Sequence, residues 1–219
     1  MATRKLYGCV NSTSTLRALA SLYEHEVEFE FFPVDLKNTE DQNTQTFLSL
    51  NPFGEEPAFQ DRELILFESR AIMRCVSHAY AKPGKELVYI APKLQGMATA
   101  WIDVEDHHFN PPASRLVTEL VKKPKQGLTP DEAVVAEARS ELAVVLDVYE
   151  QRLKETSSGF LGGDKLTSAD LTHTPSLHYL MGTPSRELFE TRPLLNSWCK
   201  ELLARPAWAK VVDLVNKHT

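Results

Sequence analysis

A chain of 219 residues, 42% hydrophobic and 25% charged, has room for one large domain or two small ones, each with its own core. Its net charge of -6 argues against a general nucleic-acid binder, which needs a basic face. No apolar run approaches the ~18–20 residues of a membrane span, and Cys9, Cys75 and Cys199 have neither metal-ligand nor disulfide spacing.

The first part of the chain alternates strand and helix patterns. Residues 5–8 read as a strand, residues 15–26 as a helix with Leu16, Leu19, Ala20 and Tyr23 on one face, and residues 27–34 as a second strand. The polar stretch 37–46 is expected to be irregular or loosely helical. Residues 57–60 and 63–67 form a hairpin about Asp61-Arg62, followed by a helix over 69–81. A βαβ unit followed by ββα is the order of a thioredoxin-like domain with a mixed sheet.

After Lys82-Pro83-Gly84-Lys85 the alternation stops. Met97, Trp101, Val104, His108, Leu116 and Leu120 mark a long helix that Pro111-Pro112 is expected to kink. A second long helix covers 134–153, and shorter ones cover 168–182, 187–203 and 206–217. The expected organisation is α/β plus all-α: a thioredoxin-like domain over 1–82, a linker over 83–92 and an all-helical domain over 93–219. Within the latter, Thr167 and Asp170 have the spacing of a capping box, with Leu166 and Leu171 as its hydrophobic staple. Trp198 and Trp208 are expected as core anchors. His107 and His108 point to different helix faces and so cannot share a metal; one is expected exposed and the other packed.

Two stretches carry chemistry. In Asn51-Pro52-Phe53-Gly54-Glu55-Glu56-Pro57-Ala58, Pro57 opens a strand and is a candidate cis proline, which would leave the backbone of Glu56 able to pair with an extended peptide. In Leu66-Phe67-Glu68-Ser69-Arg70, a strand runs into a helix whose first N–H groups can seat a carboxylate. An edge for a peptide backbone beside a socket for a carboxylate suggests a small-peptide site. Ser12, ahead of the first helix, is either a plain N-cap or a hydroxyl able to donate to a thiolate; Glu68 and Ser69 are likewise either caps or ligands. Cys9-x-x-Ser12 has redox spacing, but Cys9 lies at the strand end, away from the helix dipole, which favours a packed or incidental thiol.

These motifs also carry a resemblance. Asn51 to Ala58 and Leu66 to Ile72, together with Lys5-Leu6-Tyr7-Gly8 and Ser12, Phe109-Asn110-Pro111-Pro112-Ala113-Ser114, Thr167-Ser168-Ala169-Asp170 and Arg205-Pro206-Ala207-Trp208, resemble the phi (plant) class of glutathione transferases over nearly the whole chain. The few, widely spaced cysteines suit a reducing, cytoplasmic setting, and the resemblance implies a homodimer, with Phe53 at the interface, that joins glutathione to hydrophobic electrophiles. It uses glutathione as co-substrate, with no metal or other cofactor. Reduction of organic hydroperoxides is a possible extension, and a weakly active ligandin that carries an apolar metabolite is the alternative. Ser12 would stabilise the thiolate. Glu68 would face the γ-glutamyl ammonium, Ser69 its carboxylate, and the Glu56 main chain the cysteinyl backbone; Arg70 would be structural. Leu36, Phe109, Pro112 and Leu116 would line the acceptor pocket, although core packing explains them nearly as well.

The chain departs from the phi pattern in charge. Glu55-Glu56 stands where Gln-Val or Gln-Ile is usual, and Gln42-Asn43 where His-Lys is usual. Two added acids and two lost bases oppose an anionic peptide, so glutathione affinity is expected to be about one to two orders of magnitude below that of a typical phi enzyme.

Overall fold

The computed structural model describes residues 4–35, 42–156 and 158–218, with side chains at 42–45 excepted. It divides into two compact units, one built from residues up to 88 together with the terminal helix, the other from residues 89–205.

The first unit holds a four-stranded sheet in the order β2-β1-β3-β4. Strand β1 is Arg4–Gly8 and β2 is Glu30–Pro33, and the two run parallel with Leu6 opposite Phe31. Strands β3 (Ala58–Asp61) and β4 (Leu64–Phe67) complete the sheet antiparallel, with Leu6 opposite Phe59 and Ala58 opposite Phe67. The side-chain period of two sorts β1 between the two faces. Leu6 is fully buried, whereas Tyr7 packs with Leu50 against a separate cluster of Val34, Phe47 and Ala58. Proline at the end of β2 is tolerated because β2 is an edge strand.

Helix α1 (Thr13–Glu24) packs on α3 (Ser69–Ala79), burying Leu16, Leu19, Leu22, Ile72, Met73 and Val76. Between them in sequence, α2 (Gln42–Leu50) takes up part of the stretch expected to be irregular or loosely helical. Helix α1 sits two residues earlier than its apolar period suggests, because Ser12 caps it and Glu26, at φ +52°, lies beyond its C-terminus. Strand β2 is shorter than its run of Phe and Val suggests.

In the second unit, α4 (Pro92–Val104), α5 (Asn110–Val117) and α6 (Lys123–Lys125) form one helical run joined by π-helical turns at Glu105–Phe109 and Thr118–Lys122. The first turn answers the expected effect of Pro111-Pro112. The N–H of Asn110 reaches back five residues to the carbonyl of Glu105, so the wider turn absorbs the carbonyls that proline cannot meet. His107 and His108 are both exposed on this turn, contrary to the expectation that one packs.

Helix α7 (Glu132–Glu155) is capped by Asp131, which accepts from the N–H of Ala133 at 3.0 Å. Both later helices expected to be continuous are broken. α8 (Ser168–Leu171) gives way to α9 (Thr174–Leu180) at Pro175, and α10 (Glu187–Glu190) to α11 (Pro193–Leu203) at Pro193. Each proline lies in the first turn of the new helix, Pro175 second and Pro193 first, where its missing N–H is not needed.

The unit is centred on rings: Phe109 stacks on Tyr149 at 5.9 Å, and His173 lies edge-on to Phe109 at 4.8 Å and to Trp198 at 5.2 Å. Trp198 and Trp208 are both buried.

The last helix, α12 (Pro206–His218), differs from the expected partition. It packs on α1 and so belongs to the first unit, not to the helical one.

Candidate functional site

A small polar cleft of about 60 Å³ opens in the first unit, lined by Ser14, Asn51, Glu55, Glu56, Glu68, Ser69 and Arg70. Glu56, Glu68 and Ser69, expected to hold the peptide, and Glu55, whose charge departs from the phi pattern, therefore meet at one place. The sheet register explains why: Ala58 pairs with Phe67, so the segment that leads into β3 and the segment that leaves β4 come off the same end of the sheet, and Glu55, Glu56, Glu68 and Ser69 line one cleft there.

One wall is the turn at 51–56. Asn51 is buried and ties the turn to itself: its Nδ2 donates to the carbonyl of Glu55, its Oδ1 accepts from the N–H of Phe53 at 3.1 Å, and its own carbonyl accepts from Gly54 at 3.0 Å. Gly54 takes φ +66°, which suits a residue without Cβ. The Glu56-Pro57 peptide is cis, as the motif led us to expect.

The other wall is the head of α3. Glu68 is its N-cap at φ +68°, in the left-handed region that non-glycine residues enter at a cost of roughly 1–3 kcal/mol, and such residues concentrate at functional sites. Its side chain makes no capping hydrogen bond, so the first amide groups of α3 are left without that partner. Ser69 behind it is buried, and its Oγ accepts from Nη1 of Arg17 at 2.8 Å. Arg17 is only 1% exposed, a guanidinium set beneath the start of α3. Because Ser69 accepts from Arg17, its own hydroxyl proton points elsewhere and can be given to an anion. Helix N-terminus and buried cation add in the same direction at this spot.

Ser12 is not among the cleft-lining residues; Ser14, on the next turn of chain, is. Ser12 is half-buried at the head of α1, where its Oγ accepts from the N–H of Thr15 at a long 3.4 Å. The turn that carries it is pressed against β1. A Cβ on Gly8 would lie 2.4 Å from the Thr15 Oγ1, so only glycine lets strand and helix head approach so closely. The Cys9 Sγ accepts from the N–H of Asn11 at 3.5 Å.

Of the residues expected at the acceptor pocket, Phe109, Pro112 and Leu116 are buried in the helical unit, where Phe109 packs between Tyr149 and His173. Leu36 lies outside the described residues, as do the side chains of Gln42 and Asn43. Arg17 and Asn51 were missed as site residues. The sequence signal for Arg17 was a cation inside the apolar run Leu16 to Leu22; Asn51 was in plain view at the head of its motif.

Comparison with known proteins agrees with this geometry. A model described as glutathione S-transferase, N-terminal domain, matches residues 2–77, and one described as glutathione S-transferase, C-terminal domain, matches residues 109–206. A glutathione S-transferase of Hyoscyamus muticus is 46% identical over 209 residues, 95% of this chain and 97% of that protein. The structure of glutathione S-transferase III in apo form superposes with a TM-score of 0.86 at 42% identity, covering 97% and 96% of the two chains. Glutathione S-transferase I from mais in complex with an atrazine glutathione conjugate gives a TM-score of 0.87 at 33% identity, covering 97% and 98%.

Proposed function

The chain belongs to the glutathione S-transferase family, phi class, and is a glutathione-conjugating transferase; from that premise we propose which of its residues do the work. The γ-glutamyl carboxylate is seated by Ser69 and the first amides of α3, with Arg17 behind them, and the γ-glutamyl ammonium faces Glu68. The Glu56 backbone pairs with the cysteinyl residue. The observation that supports this most is the head of α3, where the side-chain cap is absent and a buried guanidinium lies behind the hydroxyl.

Ser12 then stabilises the sulfur. A free thiol has pKa about 8.5, and lowering it by about 2 units needs roughly 2.7 kcal/mol of preference for the thiolate. One charge-assisted hydrogen bond from a serine that already caps a helix, aided by the helix dipole, is of that size. The thiol proton passes to solvent, the sulfur lone pair forms the C–S bond, and the leaving group departs with its electrons. Hydrophobic electrophiles are the proposed acceptors, in keeping with the atrazine conjugate held by the mais relative. The same thiolate would reduce an organic hydroperoxide: two glutathiones give their disulfide, and the peroxide leaves as alcohol and water.

The test is conjugation of an aryl halide by wild type and Ser12→Ala. A fall of about a hundredfold in kcat/KM is expected, with a stability loss of only about 1 kcal/mol from the lost N-cap, too small to unfold the protein. Equal activity in the two would remove Ser12 from the mechanism.

Assembly as a homodimer is proposed for Phe53, which is 73% exposed at the tip of the Asn51 turn and edge-on to Phe67 at 6.0 Å. Sedimentation should show dimers for wild type and monomers for Phe53→Ser; an unchanged profile argues against that interface. No described helix is long and apolar enough to cross a membrane. A cytosolic location is proposed, supported by three free cysteines.

A further inference from the structure

The cleft is more acidic than its ligand warrants. Of the charged side chains that line it, Glu55, Glu56 and Glu68 are carboxylates and Arg70 alone is a cation. That balance holds however these groups pair with one another. Glutathione brings two carboxylates and one ammonium. With the assignment above, the head of α3 receives the first carboxylate and Glu68 the ammonium. The peptide then runs past Glu56, and Glu55, its neighbour in the chain, lines the same cleft. The second carboxylate, on glycine, is thus directed toward the two remaining acids. Glu55 cannot retreat with its backbone, because its carbonyl is held by the buried Asn51. Among the described residues no other cation lines this cleft.

We infer that Glu55 and Glu56 are specificity residues that favour a γ-glutamyl-cysteinyl peptide whose glycine carboxyl is masked, as an ester or amide, over free glutathione. Masking removes the one charge the cleft repels while leaving the γ-glutamyl and thiol ends unchanged. A masking group that carries an amine would be favoured further, since it places a cation beside two carboxylates. Two partly solvated acids at this range are expected to give a discrimination of about tenfold. This inference rests on the peptide orientation given under Proposed function.

The experiment compares glutathione with its glycine monoethyl ester, as kcat/KM with an aryl halide and as Kd by calorimetry, in wild type, Glu55→Gln and Glu55→Gln/Glu56→Gln. The expected result is that wild type prefers the ester by about tenfold and that the double variant brings the ratio near one. An equal ratio in wild type, or a preference that survives in the double variant, overturns the inference while leaving the transferase assignment intact. No calorimetric binding of either thiol to wild type overturns both. Should the double variant fail to fold, salt decides on the wild type alone: a preference due to charge must shrink toward one as ionic strength rises, and a salt-independent ratio overturns it.

Discussion

Two helix starts in this molecule solve one physical problem in opposite ways. At the head of α8 the chain closes its own N-terminus. The N–H of Thr167 donates to Asp170 at 2.9 Å and the Thr167 hydroxyl at 3.1 Å; the same carboxyl also accepts from the N–H of Leu161 at 2.7 Å and Nε1 of Trp198 at 3.1 Å. Asp170 is wholly buried; burial pushes its carboxyl above the usual range, and those donors pull it back. At the head of α3 the residue in the capping place, Glu68, makes no such bond, and the group nearest the helix start is a serine backed by a buried arginine. A helix end whose donors are all met by its own chain is scaffold. One whose N-cap side chain makes no such bond, beside a cleft, can seat an anion from outside.

Breaking the closed end should have the largest effect. Asp170→Ala strands two buried backbone donors and an indole N–H, and a loss of about 3–5 kcal/mol in urea denaturation at neutral pH is expected. Asp170→Asn keeps one acceptor oxygen and should fall between. A loss below about 1 kcal/mol for Asp170→Ala would show that the closed end does not hold the helical unit together.

Breaking the open end should affect ligand more than fold. Ser69→Ala is expected to weaken glutathione binding by about tenfold, near 1.4 kcal/mol, read by calorimetry. Its stability should drop by only about 1 kcal/mol, the share lost when the Arg17 guanidinium gives up one partner. The reverse pattern, unchanged binding with a large stability loss, would make α3 a second closed end.

His25 sharpens the comparison, being half met. Its Nε2 lies 3.1 Å from the Ser77 Oγ, its Nδ1 has no hydrogen-bond partner among the described residues, and the ring is 1% exposed. Burial holds its pKa below the ordinary value of 6.5, with Glu24 opposing. The unfolded chain therefore takes a proton first as pH falls. Stability present above about 6.5 is lost as pH drops from there toward the folded pKa. Urea midpoints from about pH 8 to pH 5 should decline more steeply in wild type than in His25→Gln; parallel curves would clear His25 of this role.

Much of the fold was legible because local rules and tertiary packing agree. The β1-α1-β2 and β3-β4-α3 orders, the capping box at Thr167 and the cis proline after Glu56 follow from period, turn chemistry and motif. The helix breaks at Pro175 and Pro193 were equally visible as prolines, but the apolar period ran through them and was given more weight than it merited. Phe109 and Leu116 are buried in the helical unit, a placement their helical spacing allows as readily as a pocket wall. Of the site, Glu55, Glu56, Glu68 and Ser69 were found; Arg17 and Asn51 were not, since each acts by holding another residue in place.

The order of residues alone determined which segments become strands and helices, where the peptide-binding motif lies and what charge it carries, because these depend on neighbours within a few positions along the chain. Tertiary structure decided that Arg17 sits under Ser69, that α12 joins the first unit and that Phe109 packs between Tyr149 and His173. Those outcomes depend on partners some 50 residues away for Arg17 and 40 to 64 for Phe109, brought together by burial of apolar surface, which is non-directional and leaves no trace in local spacing.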